Sequence, residues 1–366
     1  MNKKKILIVR DGLSRDNGGA ITALLSLAEN IREEYELKFV FLYEDTVDKV
    51  ALASYSYECI LPSFYISRFE RKVRLYTTTM HKLNKILKKE NPDCVISFGS
   101  TSLTLVTILK AIRGYKTIYS ERSDPQFCAR TLSDRIRYYC YNYADYMVFQ
   151  VPGVRDYFNK KIRNKSVIIP NPVGIPEEQW KLDDTKDIVC VARMEMRQKR
   201  HDVLFKAFLK VHEIYPQIRL HLYGDGGDMQ QTQDLAKELG IEDYVVFHGN
   251  VKNVKEKIIE YRVSVLTSDY EGMPNTLLEA MALGMPVVST DCSPGGAAFL
   301  IENGKNGLIV PCGNVVAVAD ALIRVLEDDK LSVAMGHEAR ERAKLQSFEK
   351  NKRDWLHVIN EVINQK

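Results

Sequence analysis

Short hydrophobic runs alternate with longer amphipathic stretches along almost the whole chain. Runs of this kind are typical of strands buried in a parallel sheet, and the stretches between them have the spacing of helices. The alternation therefore predicts parallel β/α units. The predicted strands are residues 6–9, 37–42, 59–61, 94–97, 116–120, 146–150, 166–169, 188–192, 219–223, 244–247, 264–267, 287–290 and 308–310. The predicted helices are residues 21–31, 101–112, 132–139, 203–214, 229–239, 255–261, 275–283 and 315–327.

The alternation breaks once, at a proline-rich stretch from Pro170 to Pro176 followed by polar residues up to 186. Prolines and polar residues between periodic segments mark a boundary. We therefore predict two doubly wound, Rossmann-like α/β domains with a cleft between them. The predicted domains are residues 1–175 and 176–347.

The last segment, residues 348–366, has its own pattern. Phe348, Trp355, Ile359 and Val362 fall at helical spacing, so this segment is predicted to be an amphipathic helix. We expect this helix to cross back and pack on the N-terminal domain.

Composition limits the class of protein. The chain has 366 residues, 45% hydrophobic and 27% charged, as expected for a soluble protein with two cores. The basic start is followed by an apolar run that Arg10 ends too early for a signal peptide, which predicts a cytoplasmic location. A formal charge of +4 does not favour nucleic acid as a partner. The seven scattered cysteines suit reduced thiols, and no metal-binding spacing is present in the sequence.

The densest candidate site follows the predicted strand 264–267. A glycine-containing loop leads to a helix that opens at Pro274 and Asn275, which would present the free amides of Thr276, Leu277 and Leu278. A helix N-terminus of this kind binds anions. Glu271 precedes the helix and Glu279 lies one turn inside it, so the two carboxylates can bind hydroxyls on either side of a phosphate. The alternative is that one glutamate caps the helix and the other is solvated.

The two glutamates are separated by seven residues, in the setting Glu-Gly-Met-Pro-Asn-Thr-Leu-Leu-Glu-Ala-Met-Ala-Leu-Gly-Met-Pro. This segment resembles the signature of the family 4 (GT4) retaining glycosyltransferases, which have the GT-B fold and need no metal or other cofactor. The resemblance implies that Glu279 binds the ribose and Glu271 the donor sugar of a nucleotide-sugar donor. The remaining donor-binding residues of this segment would be Gly272, Met273, Pro274, Asn275, Thr276 and Leu277.

A second element, residues 191–202, contains Arg193 and Lys199 after a predicted strand. One cation about 4 Å from a phosphate is worth about 4 kcal/mol at an effective dielectric near 20, so two would stabilise a diphosphate leaving group. The family pattern also places an arginine and a lysine at the donor phosphates. The alternative is a basic surface loop, and Arg197 and Arg200 are expected to be solvated.

Glycine turns supply weaker evidence. Gly18 and Gly19 open the helix after the first strand, although Ile21 stands where many family members have glutamate. The alternative for these two glycines is an ordinary turn. The resemblance implies that their loop faces the donor across the cleft and that Gly224, Gly226 and Gly249 line the nucleotide side of the cleft, all five being donor-binding residues.

The loop after the predicted strand 116–120 is the candidate acceptor site. Ser120, Glu121 and Arg122 resemble the acceptor-side loop of members that assemble bacterial surface polysaccharides. Glu121 would orient the acceptor hydroxyl, and Ser120 and Arg122 would bind the acceptor. The alternative is a structural salt bridge within the loop.

Residues 68–89 form an amphipathic pattern with a basic face that includes Arg71, Arg74, Lys82 and Lys85. Two interpretations stay open: a solvated face, or docking to an anionic membrane surface on the cytoplasmic side.

The sequence thus predicts a retaining transferase that moves a sugar from a nucleotide diphosphate, UDP being favoured, to a glycan hydroxyl. An undecaprenyl-diphosphate-linked acceptor fits the resemblance to polysaccharide assembly. The alternatives are a GT-B sugar-nucleotide epimerase and a binding subunit without catalysis. A nicotinamide-dependent oxidoreductase would need a Gly-x-Gly-x-x-Gly after the first strand, where the chain has only Gly18 and Gly19.

Overall fold

A computed structural model describes most of the chain and divides it into two compact units. The described residues are 3–12, 18–43, 50, 52–61, 75–98, 100–128, 132–183 and 185–365. The first unit comprises Met1–Pro172 and Phe348–Lys366, and the second comprises Val173–Ser347.

The first unit contains a parallel sheet of seven strands. Its strands are β1 (Lys5–Arg10), β2 (Glu36–Tyr43), β3 (Ser56–Leu61), β4 (Cys94–Phe98), β5 (Lys116–Glu121), β6 (Tyr146–Phe149) and β7 (Ser166–Ile168). They are ordered β3-β2-β1-β4-β5-β6-β7. Its described α-helices are α1 (Gly18–Ile31), α2 (Met80–Glu90), α3 (Ser100–Arg113), α4 (Pro125–Cys128), α5 (Leu132–Cys140), α6 (Pro152–Asp156) and α7 (Lys160–Arg163).

The second unit repeats this plan with six parallel strands. They are β8 (Ile188–Val191), β9 (Leu220–Tyr223), β10 (Val245–Gly249), β11 (Val263–Leu266), β12 (Val287–Thr290) and β13 (Leu308–Val310), in the order β10-β9-β8-β11-β12-β13. Its helices are α8 (Met196–Lys199), α9 (His201–Ile214), α10 (Met229–Glu238), α11 (Val254–Ile258), α12 (Asn275–Leu283), α13 (Gly296–Leu300), α14 (Val315–Glu327) and α15 (Asp329–Lys344).

The predicted fold class is confirmed, because each predicted strand overlaps an observed one and both sheets are parallel. The central strands are buried on both faces, as helices on both sides of a parallel sheet require. The largest omission is α15, which the sequence analysis did not predict. Its buried face consists mainly of small or polar residues, among them Ser332, Gly336 and Ala339, so it gives no apolar stripe.

The C-terminal helix, α16 (Phe348–Asn364), belongs to the first unit. Trp355, Ile359 and Val362 lie in the core of that unit beside residues of the central strands. This confirms the predicted packing on the N-terminal domain. Phe348 is the exception, because its side chain is 42% exposed and lies outside the core.

The predicted basic helix is described only in its second half. A short π-helical turn, Leu75–Thr79, leads into α2, whose buried residues are Leu83, Ile86 and Leu87. Arg71 and Arg74 lie outside the described residues. None of the described helices combines the length and apolarity that a membrane span requires.

The strand order fixes where ligands bind. In each doubly wound sheet the order reverses next to the first strand, between β1 and β4 in the first unit and between β8 and β11 in the second. Loops at the carboxyl ends of such strand pairs form the binding crevice.

Candidate functional site

The loop after β8 carries the first two predicted cations. Arg193 is 46% exposed and contacts Glu195 at 2.6 Å. Its carbonyl faces Nε2 of His201 at 3.1 Å, a ring that is fully buried. Burial lowers the pKa of His201, so the imidazole is held neutral and donates from Nε2 to this carbonyl. The backbone of Arg193 is thereby fixed while its guanidinium stays accessible.

Lys199 and Glu271 form a direct ion pair, and each side chain is only 11% exposed. Ser268 donates a second hydrogen bond to the same carboxylate oxygen at 2.8 Å. Thr267 donates to the carbonyl of Lys199 at 2.9 Å, which ties the end of β11 to the end of α8. Two residues that are far apart in the sequence thus meet across the switch point of the second sheet.

Arg200 is ion-paired and only 29% exposed, which corrects the sequence-based expectation that it is simply solvated. Its guanidinium binds Asp269 at 2.9 and 3.1 Å and Asp202 at 2.9 and 3.0 Å. The hydrogen bonds to Asp202 and Asp269 raise its pKa. Arg200 therefore fixes the two loops to each other, and Arg197 remains exposed as expected.

Helix α12 begins beside this pair. Pro274 occupies its N-cap position and makes no side-chain cap hydrogen bond. Thr276 and Leu277 lie in the first turn, where backbone N–H groups have no partner within the helix. Leu278 differs from the prediction, because its amide donates to the carbonyl of Pro274 at 3.1 Å. The accessible anion-binding amides therefore belong to the turn before Leu278.

The predicted donor-side glycines have a packing role. A Cβ on Gly226 would lie 2.5 Å from the carbonyl oxygen of Met194, and one on Gly224 would lie 2.0 Å from that of Ala192. The carbonyl of Gly249 accepts from the amide of Gly224 at 2.8 Å. These glycines let three loops at the carboxyl edge of the sheet approach backbone to backbone.

The remaining residues of the glutamate segment are placed as follows. Gly272 packs its carbonyl against Gly296, where a Cβ would lie 2.4 Å away. The side chain of Met273 is buried. The side chain of Glu279, on α12, is 25% exposed and forms an ion pair with Lys255 of α11 at 3.3 Å.

In the first unit, Gly18 and Gly19 are the first residues of α1. The loop before them, residues 13–17, lies outside the described residues. Their assignment to donor binding stays a prediction.

Glu121, the predicted acceptor-orienting residue, is buried and fully hydrogen-bonded. One carboxylate oxygen accepts from the amides of Arg122 and Ser123 at 3.0 and 2.9 Å and from the Ser123 hydroxyl at 2.5 Å. The other accepts from Tyr141. Burial, reinforced by Glu121, raises the pKa of that phenol well above its usual value. This geometry favours a structural role for Glu121, through hydrogen bonds from its own loop and from Tyr141 and not through the expected salt bridge.

Arg122 is held by its neighbours. It donates to Ser120 at 2.8 Å and to Asn171 at 3.1 Å, and its guanidinium lies 5.5 Å from the Phe98 ring and 5.9 Å from the Trp355 ring. Burial lowers its pKa, but an arginine remains charged at neutral pH. Its role toward an acceptor stays a prediction.

The structure thus brings Arg193, Lys199 and Glu271 together with the start of α12 in one unit. Sequence reasoning missed the residues that hold them, namely Gln198, Thr267, Ser268 and His201. Gln198 donates to the carbonyl of Tyr270 at 2.9 Å and its own carbonyl accepts from the Asp269 amide. The only signal available was their position at strand ends.

Comparison with known proteins places the chain in a class. Residues 185–328 match the family model described as Glycosyl transferases group 1. The chain is 29% identical over 305 residues to lipopolysaccharide 1,6-galactosyltransferase of Salmonella typhimurium, covering 80% of each sequence. It is 26% identical over 364 residues to an α-1,4-N-acetyl-D-galactosaminyltransferase of Campylobacter jejuni, with 95% of this chain and 97% of the relative covered. That relative's name specifies an undecaprenol-diphosphate-linked acceptor.

Solved structures agree in fold. The lipopolysaccharide outer core galactosyltransferase WaaB in its apo form matches with a TM-score of 0.77 at 23% identity, covering 96% of this chain and 99% of that one. HepE of Anabaena in complex with UDP-glucose matches with a TM-score of 0.83 at 18% identity, covering 98% and 99%. The chain has the GT-B fold of the glycosyltransferases. It is a glycosyltransferase that resembles family 4.

Proposed function

We propose that this glycosyltransferase moves a hexose or N-acetylhexosamine from a UDP-activated donor to a glycan hydroxyl, with retention at the anomeric carbon. The diphosphate binds at the first turn of α12 between Arg193 and Lys199. Glu279 binds the ribose hydroxyls and Glu271 the hydroxyls of the donor sugar.

The observation that carries this proposal is the coincidence of three features in the second unit. An exposed guanidinium, a buried lysine–glutamate pair and a helix start without a side-chain cap all lie at the carboxyl ends of β8 and β11. A lysine ammonium has three donors. Its bond to Glu271 therefore leaves two for phosphate oxygens.

This arrangement supports a same-face displacement. The bond from the anomeric carbon to the phosphate oxygen breaks, the bond to the acceptor oxygen forms, and the acceptor proton passes to the departing phosphate. Arg193, Lys199 and the amides of Thr276 and Leu277 stabilise the negative charge that develops on the leaving group. Because Glu271 is bound to Lys199 and Ser268, we propose that it orients the sugar and does not act as the nucleophile.

The acceptor is proposed from the relatives. Two of them are named for lipopolysaccharide or undecaprenol-diphosphate-linked glycans. We therefore propose a role in bacterial surface polysaccharide assembly, with a lipid-diphosphate-linked saccharide as the acceptor and the cytoplasmic face of the membrane as the location.

A thermal-shift titration tests donor binding. UDP and UDP-hexoses are expected to raise the melting temperature of the wild type more than GDP or ADP at the same concentration, because a ligand that binds only the folded state stabilises it. Arg193→Ala and Glu279→Ala are expected to lose most of that shift. The matched control is Arg197→Ala, an exposed arginine of the same loop, which should keep it.

A separate assay distinguishes the alternatives. Transfer requires both donor and acceptor, and its product keeps the donor's anomeric configuration. Epimerisation or hydrolysis of the donor at an undiminished rate without acceptor would identify an epimerase. UDP-sugar binding with no turnover on any glycan tested would identify a binding subunit.

A further inference from the structure

A hydrophobic face is exposed on the first unit, on a segment whose buried Tyr141 donates to Glu121. Along α5 and the turn after it, Leu132, Ile136, Tyr139 and Tyr143 are spaced by four, three and four residues, so they share one side. Their side chains are 74%, 44%, 63% and 49% exposed. We call these four residues the exposed stripe. The opposite side of the same segment is buried, with Tyr141 only 1% exposed.

The helix that packs against α5 also exposes hydrophobic side chains. Helix α3 packs against α5 and exposes Ile108 and Ile112 by 41% and 70%. Among the residues that the structure describes, seven of the fifteen exposed large hydrophobic side chains lie between positions 108 and 157. A soluble surface normally scatters such residues, so their concentration in this part of the first unit marks a candidate interaction surface.

The charge around the stripe is one-sided. Residues 100–165 contain twelve Lys and Arg but five Asp and Glu, although the whole chain carries a formal charge of only +4. Every acid of this segment is buried or ion-paired: Glu121 and Asp124 are buried, and Asp134, Asp145 and Asp156 contact Arg137, Lys110 and Arg155. The remainder of the chain is therefore net acidic.

The exposed cations lie next to the stripe. Arg135 is on the same helix as Ile136, and α7 presents Lys160, Lys161 and Arg163. Helix α7 is tied to the turn that bears Tyr143, because Asn159 donates to Asn142 at 3.2 Å. None of these four cations forms an ion pair with a described residue. An apolar, tyrosine-rich stripe with a positive border is complementary to an anionic bilayer surface.

We propose that the exposed stripe is a membrane-docking surface, which inserts Leu132, Ile136 and Tyr139 at the level of the lipid headgroups while the adjoining cations bind anionic headgroups. This surface lies outside the basic stretch 68–89 that the sequence pattern favours. Helix α2, which was the sequence-based candidate, packs beside α3 through the bond from Arg113 to Asn84 at 2.8 Å. Its Lys82 donates to the carbonyl of Ile60, and its Lys85 is exposed. The proposal does not depend on the donor or acceptor of the transfer reaction.

Vesicle co-sedimentation of the purified full chain tests the proposal. The wild type is expected to bind vesicles of equal parts phosphatidylglycerol and phosphatidylcholine, to leave phosphatidylcholine vesicles unbound, and to bind more weakly as salt is raised. The double variant Ile136→Ser, Tyr139→Ser should lower the affinity by about tenfold or more, because it removes apolar area from the contact. Arg135→Glu with Lys161→Glu should lower it by a similar factor of about ten.

Matched controls come from the second unit. Val316→Ser with Val333→Ser removes two exposed apolar side chains of comparable exposure, 54% and 48%, and should leave binding unchanged. Lys206→Glu with Lys210→Glu reverses two exposed charges on α9 and should also have no effect beyond a small change in overall charge. Unchanged UDP-induced thermal shifts in all variants would show that they are folded, and keep this test separate from the proposed reaction.

Three results would overturn the inference. They are equal binding of the wild type to neutral and anionic vesicles, wild-type affinity in both stripe variants, and loss of affinity in the control variants. A dimer in analytical ultracentrifugation that dissociates on Ile136→Ser, Tyr139→Ser would show instead that a second copy of the chain covers the stripe.

Discussion

At the switch point of each unit, a loop after the first strand lies beside the start of a helix. The charged side chains of that loop have opposite sign in the two units. In the first unit, Asp11 follows β1 and its carboxylate accepts from the amides of Thr101 and Ser102 at 3.1 and 2.7 Å, at the start of the helix that follows β4. In the second unit, the loop after the equivalent strand β8 carries Arg193 and Lys199, and the helix after β11 begins at Pro274 without a side-chain cap.

This difference in charge distinguishes a helix start that is capped by its own chain from one that can bind an anionic ligand. A helix start attracts an anion. The first unit supplies that anion from its own chain, so this helix start is closed to ligands. The second unit supplies cations and leaves the helix start to a ligand, which is the arrangement that a diphosphate requires.

The carboxylates repeat the contrast. Glu121 at the end of β5 is enclosed by donors from its own loop and from Tyr141. Glu271 accepts from Lys199 and Ser268, and the Lys199 ammonium keeps two N–H donors for other acceptors. We therefore expect variants in the second unit to affect transfer and variants in the first switch point to affect stability.

The largest effect is expected for Lys199→Ala. Removing the cation loses a phosphate contact and leaves the Glu271 carboxylate without its ion-pair partner, so the transfer rate should fall by about 10²- to 10³-fold. Steady-state kinetics with a UDP-sugar measures it, and Arg197→Ala should stay within about twofold. Equal losses in both variants would mean that the loop acts as a general basic surface.

Gly226→Ala should have the next largest effect. The new Cβ would lie 2.5 Å from the Met194 carbonyl and push the Arg193 loop away, at a cost of about 1–3 kcal/mol. Isothermal titration with UDP should show weaker binding. Gly227→Ala is the control, since a Cβ there has nothing within 4 Å. If both variants bound UDP like the wild type, the packing role of Gly226 would be refuted.

Asp11→Ala tests the first unit. Loss of the cap should cost about 0.5–2 kcal/mol of stability and leave UDP affinity unchanged. The chain has two tryptophans, Trp180 in the second unit and Trp355 in the first. In a Trp180→Phe background, urea unfolding followed by fluorescence therefore reports the first unit. A large loss of UDP affinity in Asp11→Ala would show that the first switch point also contributes to ligand binding, contrary to the proposed division between stability and binding.

The smallest effect is expected for His201→Gln, and it is an effect on how stability depends on pH. Burial lowers its pKa in the folded state below the unfolded value near 6.5. The folded state thus binds fewer protons than the unfolded one, so stability is full above pH 6.5 and declines as the pH falls through 6.5 toward the folded pKa. His201→Gln should remove this decline from the melting curves and keep a donor for the Arg193 carbonyl. An identical acid-side decline in the variant would assign it to another group.

Much of this architecture was predictable from sequence. The strands are apolar on both faces and alternate with helices, so β8, β9 and β11 to β13 could be located from hydrophobicity alone. Helix α15 could not, because it packs through small residues: a Cβ on Gly336 would lie 2.1 Å from the carbonyl of Gly284. Such a close approach leaves no periodic apolar signal.

The candidate site could be proposed from sequence only to the level of its charged residues. Arg193, Lys199, Glu271 and Glu279 could be named from a motif and from their position after strands. The pairing of Lys199 with Glu271, the role of Arg200 as a link between Asp202 and Asp269, and the enclosure of Glu121 depend on tertiary contacts. These contacts join residues distant in the sequence and leave no local pattern.

A crystal structure of the protein soaked with UDP tests the proposed diphosphate site most directly. We expect diphosphate oxygens within hydrogen-bonding distance of the Thr276 and Leu277 amides and in contact with Arg193 and Lys199. A diphosphate bound elsewhere, for example with those amides and both cations facing only water, would contradict it.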